Sequence, residues 1–369
     1  MTTPDAVAAA LERRQAQRLT AQLLSGPPAE GTAEVARWLL AVQAQDPRGA
    51  RLAVRARSRV RSAADVDAAL TRDRSVVVTW LNRGTLHLVP AEDYWWLHPL
   101  TTPPLLRGNT RRLNQEGVPP ADAERAVRVI ERAVTAEGPL TRVQLAERIA
   151  AAGVRTQGQA IVHLLALASL RGLIVRGPMT GRDHAYALVR DWLGAPPAQH
   201  AQFDRDRALA ELAVRYLAGH GPATDRDLAK WAGLPLRDAR HGLAAIAGRL
   251  AVRDDGLADL AERREACPPP PPRLLGAYDP LLLGWDSRDP VVGPHGRLIA
   301  INGLFRPFAL VRGRAAGTWS LPGGKVALAP FTPLPDADAV ALAADAAEVE
   351  RFLSPVPGPA DGPAHPGGG

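Results

Sequence analysis

Two glutamines, Gln43 and Gln45, are separated by one residue and followed by Asp46 and Pro47. A glutamine amide can accept a hydrogen bond from a water molecule and donate to two further oxygens, although it is a feeble base. The apolar run from Trp38 predicts a helix that stops at Asp46, because proline disfavours helical conformation in the residue before it. An extended or 3₁₀ last turn would direct both amides into one cavity. Two glutamines near a helix end are also ordinary surface residues, and the pair alone leaves that interpretation open.

The charge balance favours a nucleic-acid partner. The chain has 45 lysines and arginines against 38 acidic residues, a net charge of +7, and its only lysines are Lys230 and Lys325. The planar guanidinium of arginine can donate paired hydrogen bonds to phosphate oxygens and to base edges. An excess of positive charge that arginine supplies therefore favours a DNA or RNA partner. A GC-rich genome could explain the preference for arginine over lysine, but it does not explain why the net charge is positive.

Length and composition limit the class of protein. With 369 residues, of which 46% are hydrophobic, the chain should form about two to four domains. No apolar run approaches the ~18 residues of a membrane span, and the N-terminus does not resemble a signal peptide. The single cysteine, Cys267, cannot form an internal disulfide or supply a zinc site alone. We therefore expect a cytoplasmic protein, nucleoid-associated when bound to DNA, without metal or cofactor.

An internal repeat predicts the architecture. Residues 138–146 and 221–229 both read G-P-x-T-x-x-x-L-A, 83 positions apart. Thr141 and Thr224 are natural helix N-caps, and Gln144 and Asp227 stand three residues later, where a capping box has its reciprocal partner. Each copy follows an amphipathic helix and precedes a second helix, and the first copy then continues into a hairpin. Three helices and a hairpin make a winged helix.

The rest of the chain completes an α+β class with tandem winged-helix domains and a C-terminal β-rich domain. Residues 10–24, 33–44 and 63–72 are predicted helices and residues 76–81 and 85–89 are predicted strands, so the first unit can also be a winged helix. After the five-proline run 268–272, strands are predicted at 298–302, 305–312 and 318–321, and a helix at 337–352. The predicted domains are 10–120, which carries the glutamine pair, 121–195, 200–266 and 273–353, with a disordered tail at 354–369.

Four segments in combination resemble the winged-helix DNA glycosylases of the AlkZ/YcaQ type. They are residues 43–48 (QAQDPR), 51–57 (RLAVRAR), 79–93 (TWLNRGTLHLVPAED) and 276–279 (GAYD). The resemblance covers about residues 10–353. It implies three winged helices in a C shape around a basic DNA channel, and a C-terminal β-domain whose hairpin contacts DNA. The catalytic motif is Gln-apolar-Gln in the AlkZ branch and Gln-apolar-Asp in the YcaQ branch, so Ala44 between two glutamines is similar to the AlkZ branch.

The resemblance also implies a reaction. The AlkZ branch excises bulky N7-alkylguanines, unhooks interstrand crosslinks and protects antibiotic producers. Alkylation at N7 makes the base a cationic leaving group, so the protein needs to position a water near C1′ and stabilise charge. Our hypothesis makes Gln43 and Gln45 catalytic, with Gln45 binding the water and Gln43 orienting the site. Asp46 is an alternative base, although an aspartate before proline is also a common structural residue.

Further residues receive roles from the same resemblance. Arg312 and Arg314 occupy the predicted tip of the C-terminal hairpin, which could enter a groove or be a solvated turn. His87 and Asp279 are possible supporting residues, although His87 could be a buried structural histidine and Asp279 a turn residue. The predicted DNA-binding arginines are Arg48, Arg51, Arg55, Arg57, Arg83, Arg312 and Arg314.

Neither lysine is near the glutamine pair in sequence. Glycosylases that also nick DNA usually form a Schiff base through an amine, so a monofunctional enzyme is expected. The expected partner is double-stranded DNA with alkylated purines, bound by a monomer that does not associate with membranes. Two alternatives remain: a non-catalytic winged-helix regulator, usually dimeric on a palindromic site, and a lesion-binding protein that protects DNA without releasing base.

Overall fold

The computed structural model describes residues 4–181, 183–263, 265–296 and 304–354. The helices in these ranges are α1 (Pro4–Ala21), α2 (Thr32–Leu39), α3 (Pro47–Arg55), α4 (Ala63–Thr71), α5 (Tyr94–Thr101), α6 (Pro103–Gln115), α7 (Pro120–Glu137), α8 (Arg142–Ala151), α9 (Ala160–Leu170), α10 (Val189–Trp192), α11 (Arg205–His220), α12 (Asp225–Ala232), α13 (Leu236–Ala245), α14 (Pro280–Leu283), α15 (Asp289–Val292) and α16 (Asp336–Leu353). The strands are β1 (Val42–Gln43), β2 (Val76–Leu81), β3 (Thr85–Pro90), β4 (Leu140–Thr141), β5 (Ile174–Thr180), β6 (Asp183–Leu188), β7 (Arg273–Leu275), β8 (Phe308–Val311), β9 (Arg314–Ser320) and β10 (Ala327–Pro330). None of the helices in the described ranges has the length and apolar character that a membrane crossing requires.

The α+β class is confirmed, and all strand pairs between named strands are antiparallel. Six strands form one sheet in the order β1-β3-β2-β5-β6-β4. Strands β2 and β5 meet at Val78 and Arg176, so the hairpin of the first predicted unit and that of the second share a sheet. The predicted division near residue 120 therefore does not separate two independent sheets.

The predicted helix 33–44 is wrong at its C-terminal end. Helix α2 ends at Leu39, and Leu40 has a φ of 63°, which a continuing right-handed helix does not allow. The chain then becomes extended and pairs Val42 with Leu88 and Gln43 with His87 of β3. The glutamine segment thus lies on the edge of the sheet.

Both capping boxes of the repeat are confirmed. The Thr141 hydroxyl accepts from the Gln144 N–H, and the Gln144 side chain accepts from the Thr141 N–H. Thr224 and Asp227 form the same pair of hydrogen bonds. The first copy continues through α8 and α9 into the β5–β6 hairpin. In the described part of the second copy, the segment after α13 forms only the isolated bridges Ala223–Ala258 and Leu250–Leu260, so its wing is rudimentary.

The C-terminal region forms a second sheet in the order β10-β9-β8-β7. The predicted strand 305–312 begins only at Phe308, and the strand predicted at 318–321 begins earlier, at Arg314. Helix α16 agrees with the prediction for 337–352 within one residue at each end, whereas the predicted strand 298–302 and the tail after Ser354 lie outside the described residues. Val349 and Phe352 of α16 enter the core of the N-terminal half.

Candidate active site

Gln43 is anchored in the sheet. It lies on β1 opposite His87 of β3, and the residue is only 7% exposed. Paired residues of an antiparallel ladder project their side chains to the same face, and His87 is in turn paired with Thr79 of β2. Gln43, His87 and Thr79 therefore form one polar row across three strands.

An arginine at the tip of the β2–β3 hairpin holds the Gln43 amide. The Arg83 Nη2 donates to Gln43 Oε1 at 3.3 Å. The Arg83 Nη1 donates to the main-chain carbonyls of Lys230, at 3.3 Å, and of Trp231. Arg83 thus connects the glutamine strand to the C-terminal end of α12.

Gln45 is the exposed member of the pair. Its Oε1 accepts from the Leu86 main-chain N–H at 3.4 Å, just where β1 leaves the sheet. The neighbouring Ala44 N–H donates to the Leu86 carbonyl at 2.7 Å. The Gln45 amide therefore also lies beside β3, two residues along the chain from Gln43.

Asp46 begins a helix instead of ending one. It is the N-cap of α3, where its Oδ1 accepts from the Arg48 N–H at 3.0 Å, and Pro47 occupies the first turn. Proline suits that position, because its missing N–H has no partner in the first turn of a helix. Asp46 therefore has the structural function that the sequence left as an alternative to a catalytic base.

The Gly-Ala-Tyr-Asp segment passes directly over the start of α3. A Cβ on Gly49 would lie 2.3 Å from the Ala277 carbonyl oxygen, and one on Gly276 would lie 2.8 Å from the Gly49 Cα. Only glycine at both positions permits this approach. It brings Tyr278 near Asp46, whose charge adds to partial burial in raising the pKa of the tyrosine.

Sequence reasoning missed a further group at this site. Tyr278 and Phe305 have ring centroids 5.4 Å apart, and the Arg288 guanidinium lies 5.2 Å from the Phe305 ring. The charge of Arg288 also acts on Arg83, where it adds to burial in lowering the pKa of Arg83. Tyr278 lies in a motif of the resemblance, but Arg288 and Phe305 have no local signal and become neighbours only through the fold.

His87 is neutral. Burial, with a further contribution from the Arg83 charge, lowers its pKa to about 3, and its Nδ1 lies 3.0 Å from the Thr85 carbonyl. A neutral imidazole cannot act as a cationic acid near neutral pH. His87 is thus the buried structural histidine that the sequence allowed.

Stability should fall as the pH is lowered below about 6.5. Burial lowers the pKa of His87 and His220 to about 3 and that of His98 to about 4. The unfolded chain takes up these protons below about pH 6.5 while the folded chain does not, so at pH 5 each histidine should cost roughly 2 kcal/mol. Denaturant unfolding at pH 7.5 and pH 5 measures the loss, and equal free energies of unfolding at the two values would contradict it.

The predicted role of Arg57 in DNA binding is wrong. Its guanidinium donates to Asp279 at 2.7 and 2.9 Å, and both side chains have no exposed surface. It also donates to the Gln22 and Ala53 carbonyls at 2.8 and 3.0 Å. Asp279 in addition caps α14 through the Leu281 N–H. The pair joins the N-terminal half to the C-terminal region and cannot reach a phosphate.

Two other arginines of this run are also held by carboxylates. Arg51 pairs with Asp67 and Arg55 with Asp345, and the two arginine side chains are only 13% and 11% exposed. Arg48 is exposed, and its side chain makes no ion pair or hydrogen bond with any residue that the structure describes. Of the four arginines from 48 to 57, Arg48 alone presents at the surface a guanidinium that no residue of the described ranges binds.

The tip of the β8–β9 hairpin carries the predicted arginines at a cleft. Arg312 and Arg314 are exposed, while Gly313 between them accepts from Gln15 Nε2 of α1 at 2.8 Å. Arg312 also pairs with Asp338 at 3.1 Å. The cleft has a volume of about 930 Å³ and lies between α1, the start of α12 and the loop before α15. Its charged lining residues are Glu12, Arg14, Arg18, Arg226, Asp227, Asp286, Asp289, Arg312 and Arg314.

Lys230 is nearer the glutamines in space than in sequence. Its carbonyl accepts from Arg83, which binds Gln43, whereas its amine donates to Asp286 at 2.5 Å. Lys325 pairs with Glu350 in the C-terminal region at 2.8 Å. Lys230 is therefore close to the site although it is distant in sequence, and its ammonium is paired with Asp286.

The chain is similar to known proteins over most of its length. A family model described as DNA glycosylase AlkZ-like matches residues 36–352. Over 360 residues the chain is 27% identical to an interstrand DNA cross-link repair glycosylase of Streptomyces sahachiroi, covering 91% of this chain and 94% of that protein. The solved structure of the Streptomyces sahachiroi DNA glycosylase AlkZ shares the fold, with a TM-score of 0.73 at 24% identity over 94% of this chain and 98% of the other. The chain belongs to the AlkZ-like family of DNA glycosylases.

Proposed function

We propose that the protein is a monofunctional DNA glycosylase that hydrolyses the N-glycosidic bond of N7-alkylated purines, including bulky adducts. The observation that carries this proposal is the glutamine pair, with Gln43 anchored in the sheet and Gln45 exposed beside it. The curated relative is named for interstrand crosslink repair, so a crosslinked duplex is the second substrate to test. The biological setting would be DNA repair or self-resistance to a genotoxic natural product.

In this mechanism the leaving group needs no acid. The alkylated purine is already a cation, so its bond to C1′ can loosen toward an oxocarbenium ion. Gln45 would accept a hydrogen bond from the attacking water, since its amide is open to solvent, and Gln43 would orient the sugar or phosphate from its fixed position. Because an amide is a weak base, the reaction should be limited to cationic lesions.

We propose a DNA path along one face of the protein. Arg48, near the glutamines, and Arg312 and Arg314, at the hairpin tip, are exposed guanidinium groups that can bind phosphates. Asp227 and Asp286, which line the cleft at this hairpin tip, are engaged by Arg18 and Lys230. We regard the two repeat copies as winged helices and the whole chain as a C-shaped monomer around this path on double-stranded DNA.

The two repeat copies differ in whether their third helix is exposed. In a winged helix the third helix reads the major groove. Every residue of α9 except Val162 and His163 is buried, so this helix cannot enter a groove. In the second copy, α13 does expose Arg237 and Arg240, with side chains 86% and 63% accessible, and could contact DNA. A dimeric regulator also needs only one exposed recognition helix per protomer, so the base-release assay has to separate the two functions.

A single assay separates the proposal from its rivals. Randomly methylated duplex DNA is incubated with the protein, and free 7-methylguanine and abasic sites are quantified. The proposed glycosylase releases base and leaves abasic sites in equal amounts. A regulator or a passive lesion-binding protein releases neither, and retention of lesion DNA in a binding assay then distinguishes these two. Absence of base release would refute the proposal.

Borohydride should not trap the protein on DNA. A lyase step requires an amine that attacks C1′, and the Lys230 ammonium is held by Asp286 while Lys325 is held by Glu350. After reaction with lesion DNA, we expect an abasic strand that breaks only on alkali treatment. Efficient trapping that disappears in Lys230→Met would instead show that this lysine forms a Schiff base.

A further inference from the structure

We propose that Arg83 is a positioning residue that acts through Gln43, and not the phosphate contact that the sequence suggested. The inference rests on the proposed function of the glutamine pair and assigns Arg83 a place within it. The guanidinium holds the Gln43 amide with its oxygen toward the protein, so that the amide N–H groups are left to bind the substrate.

The first support is the way Arg83 is built into the fold. It stands at the β2–β3 turn, between Asn82 with a φ of 50° and Gly84 with a φ of 81°. The turn packs on Gly233 after α12, where an added Cβ would lie 3.0 Å from the Arg83 nitrogen and from the Asn82 carbonyl carbon. Little freedom remains for the hairpin tip at this contact.

The second support is the end of α12. The last carbonyls of a helix lack intrahelical partners and form the negative end of its dipole. The Arg83 Nη1 donates to the carbonyls of Lys230 and Trp231 in this last turn. The guanidinium is therefore fixed before any DNA arrives, and burial lowers its pKa because part of its hydration is lost.

The third support is the direction of the Gln43 amide. The Arg83 Nη2 lies 3.3 Å from Gln43 Oε1, a long hydrogen bond between a donor and the only acceptor of the amide. If the Gln43 amide were flipped, its N–H groups would face the Arg83 N–H groups, and two donors would oppose each other. Gln43 therefore directs its two N–H groups away from Arg83, which suits donation to a phosphate or sugar oxygen and leaves the water to Gln45.

The salt dependence of DNA binding tests the proposal without requiring catalysis. Losing an arginine that binds phosphate lowers the slope of log K against log salt by about one. We expect Arg83→Met to leave this slope unchanged, whereas Arg48→Met, at an exposed arginine that no described residue binds, should lower it. A drop of about one for Arg83→Met would overturn the proposal even if the protein released no base.

A double-mutant cycle tests the coupling to Gln43. Single-turnover base release should fall about 10²-fold in Arg83→Met, since a misplaced catalytic group can cost that much. The double variant Arg83→Met with Gln43→Ala should be no slower than Gln43→Ala alone. Additive losses would show that Arg83 acts independently of Gln43 and would overturn the proposal.

Arg83→Lys provides a conservative comparison if the methionine variant is unstable. Lysine keeps the positive charge and can still bind a phosphate. It lacks the planar guanidinium, whose two terminal nitrogens reach the carbonyls at the end of α12 and the Gln43 amide at the same time. We expect Arg83→Lys to lower the rate of base release while DNA affinity stays within about twofold. A rate equal to that of the wild type would identify Arg83 as a simple charge and contradict the positioning role.

Discussion

Replacing Asp279 with alanine should lower the free energy of unfolding by about 3–5 kcal/mol, because it leaves the Arg57 guanidinium buried without a counter-charge. The two side chains are joined by bonds of 2.7 and 2.9 Å and have no exposed surface. The variant also loses the cap of α14. Urea unfolding followed by circular dichroism measures the difference.

Asp73→Ala is the matched control. Asp73 also pairs with an arginine, Arg72, at 3.0 Å, but the side chains are 49% and 78% exposed. A solvent-exposed pair contributes little, so its loss should change stability by less than about 1 kcal/mol. Equal losses in the two variants would contradict the buried-pair interpretation. The combination Arg57→Met with Asp279→Leu should recover part of the loss, since it removes both charges together.

Substitution of either glutamine should abolish most of the base release. In single-turnover reactions on DNA with 7-methylguanine, we expect Gln45→Ala and Gln43→Ala each to be slower by about 10²–10³-fold, the usual effect of removing one preorganised polar group. Gln45→Ala should fold normally because Gln45 is exposed, so its loss should be purely kinetic.

Gln157→Ala serves as the control for this series. Gln157 is an exposed glutamine before α9, outside the glutamine segment, and its side chain has no bond within the described ranges. Its rate should match the wild type. Unchanged rates in Gln43→Ala and Gln45→Ala would remove both glutamines from the mechanism.

The fold could be predicted from sequence wherever the signal is local. The capping boxes at Thr141 and Thr224 were recognisable because their partners stand three residues away. Strand β2 was recognisable from a β-branched run bounded by the turn at Asn82. The end of helix α2 before Leu40 was not recognisable, because nothing in the local sequence indicates the positive φ of Leu40. The two-residue strand β1 was not recognisable either, because it is defined by its pairing with β3.

The candidate site likewise combines residues that the sequence identifies with residues that only the fold brings together. The glutamines were found through a family resemblance, since their residue types alone are ordinary at a surface. Arg57 looked like its neighbour Arg48, yet Arg57 pairs with an aspartate 222 positions away, whereas Arg48 has no ion pair among the described residues. Which arginines are neutralised depends on long-range packing. The same reason hid Arg288 and Phe305, which lie near Arg83 and Tyr278 only in the folded chain.

The most direct measurement is release of free base from a duplex that contains one 7-methylguanine, with enzyme in excess over DNA. The account predicts that the wild-type protein releases 7-methylguanine far faster than buffer alone and leaves one alkali-labile abasic site per base. The variant with both Gln43→Ala and Gln45→Ala should bind the same duplex and release base at the buffer rate. Release by the wild type at the buffer rate, or equal release by the double variant, would contradict the account.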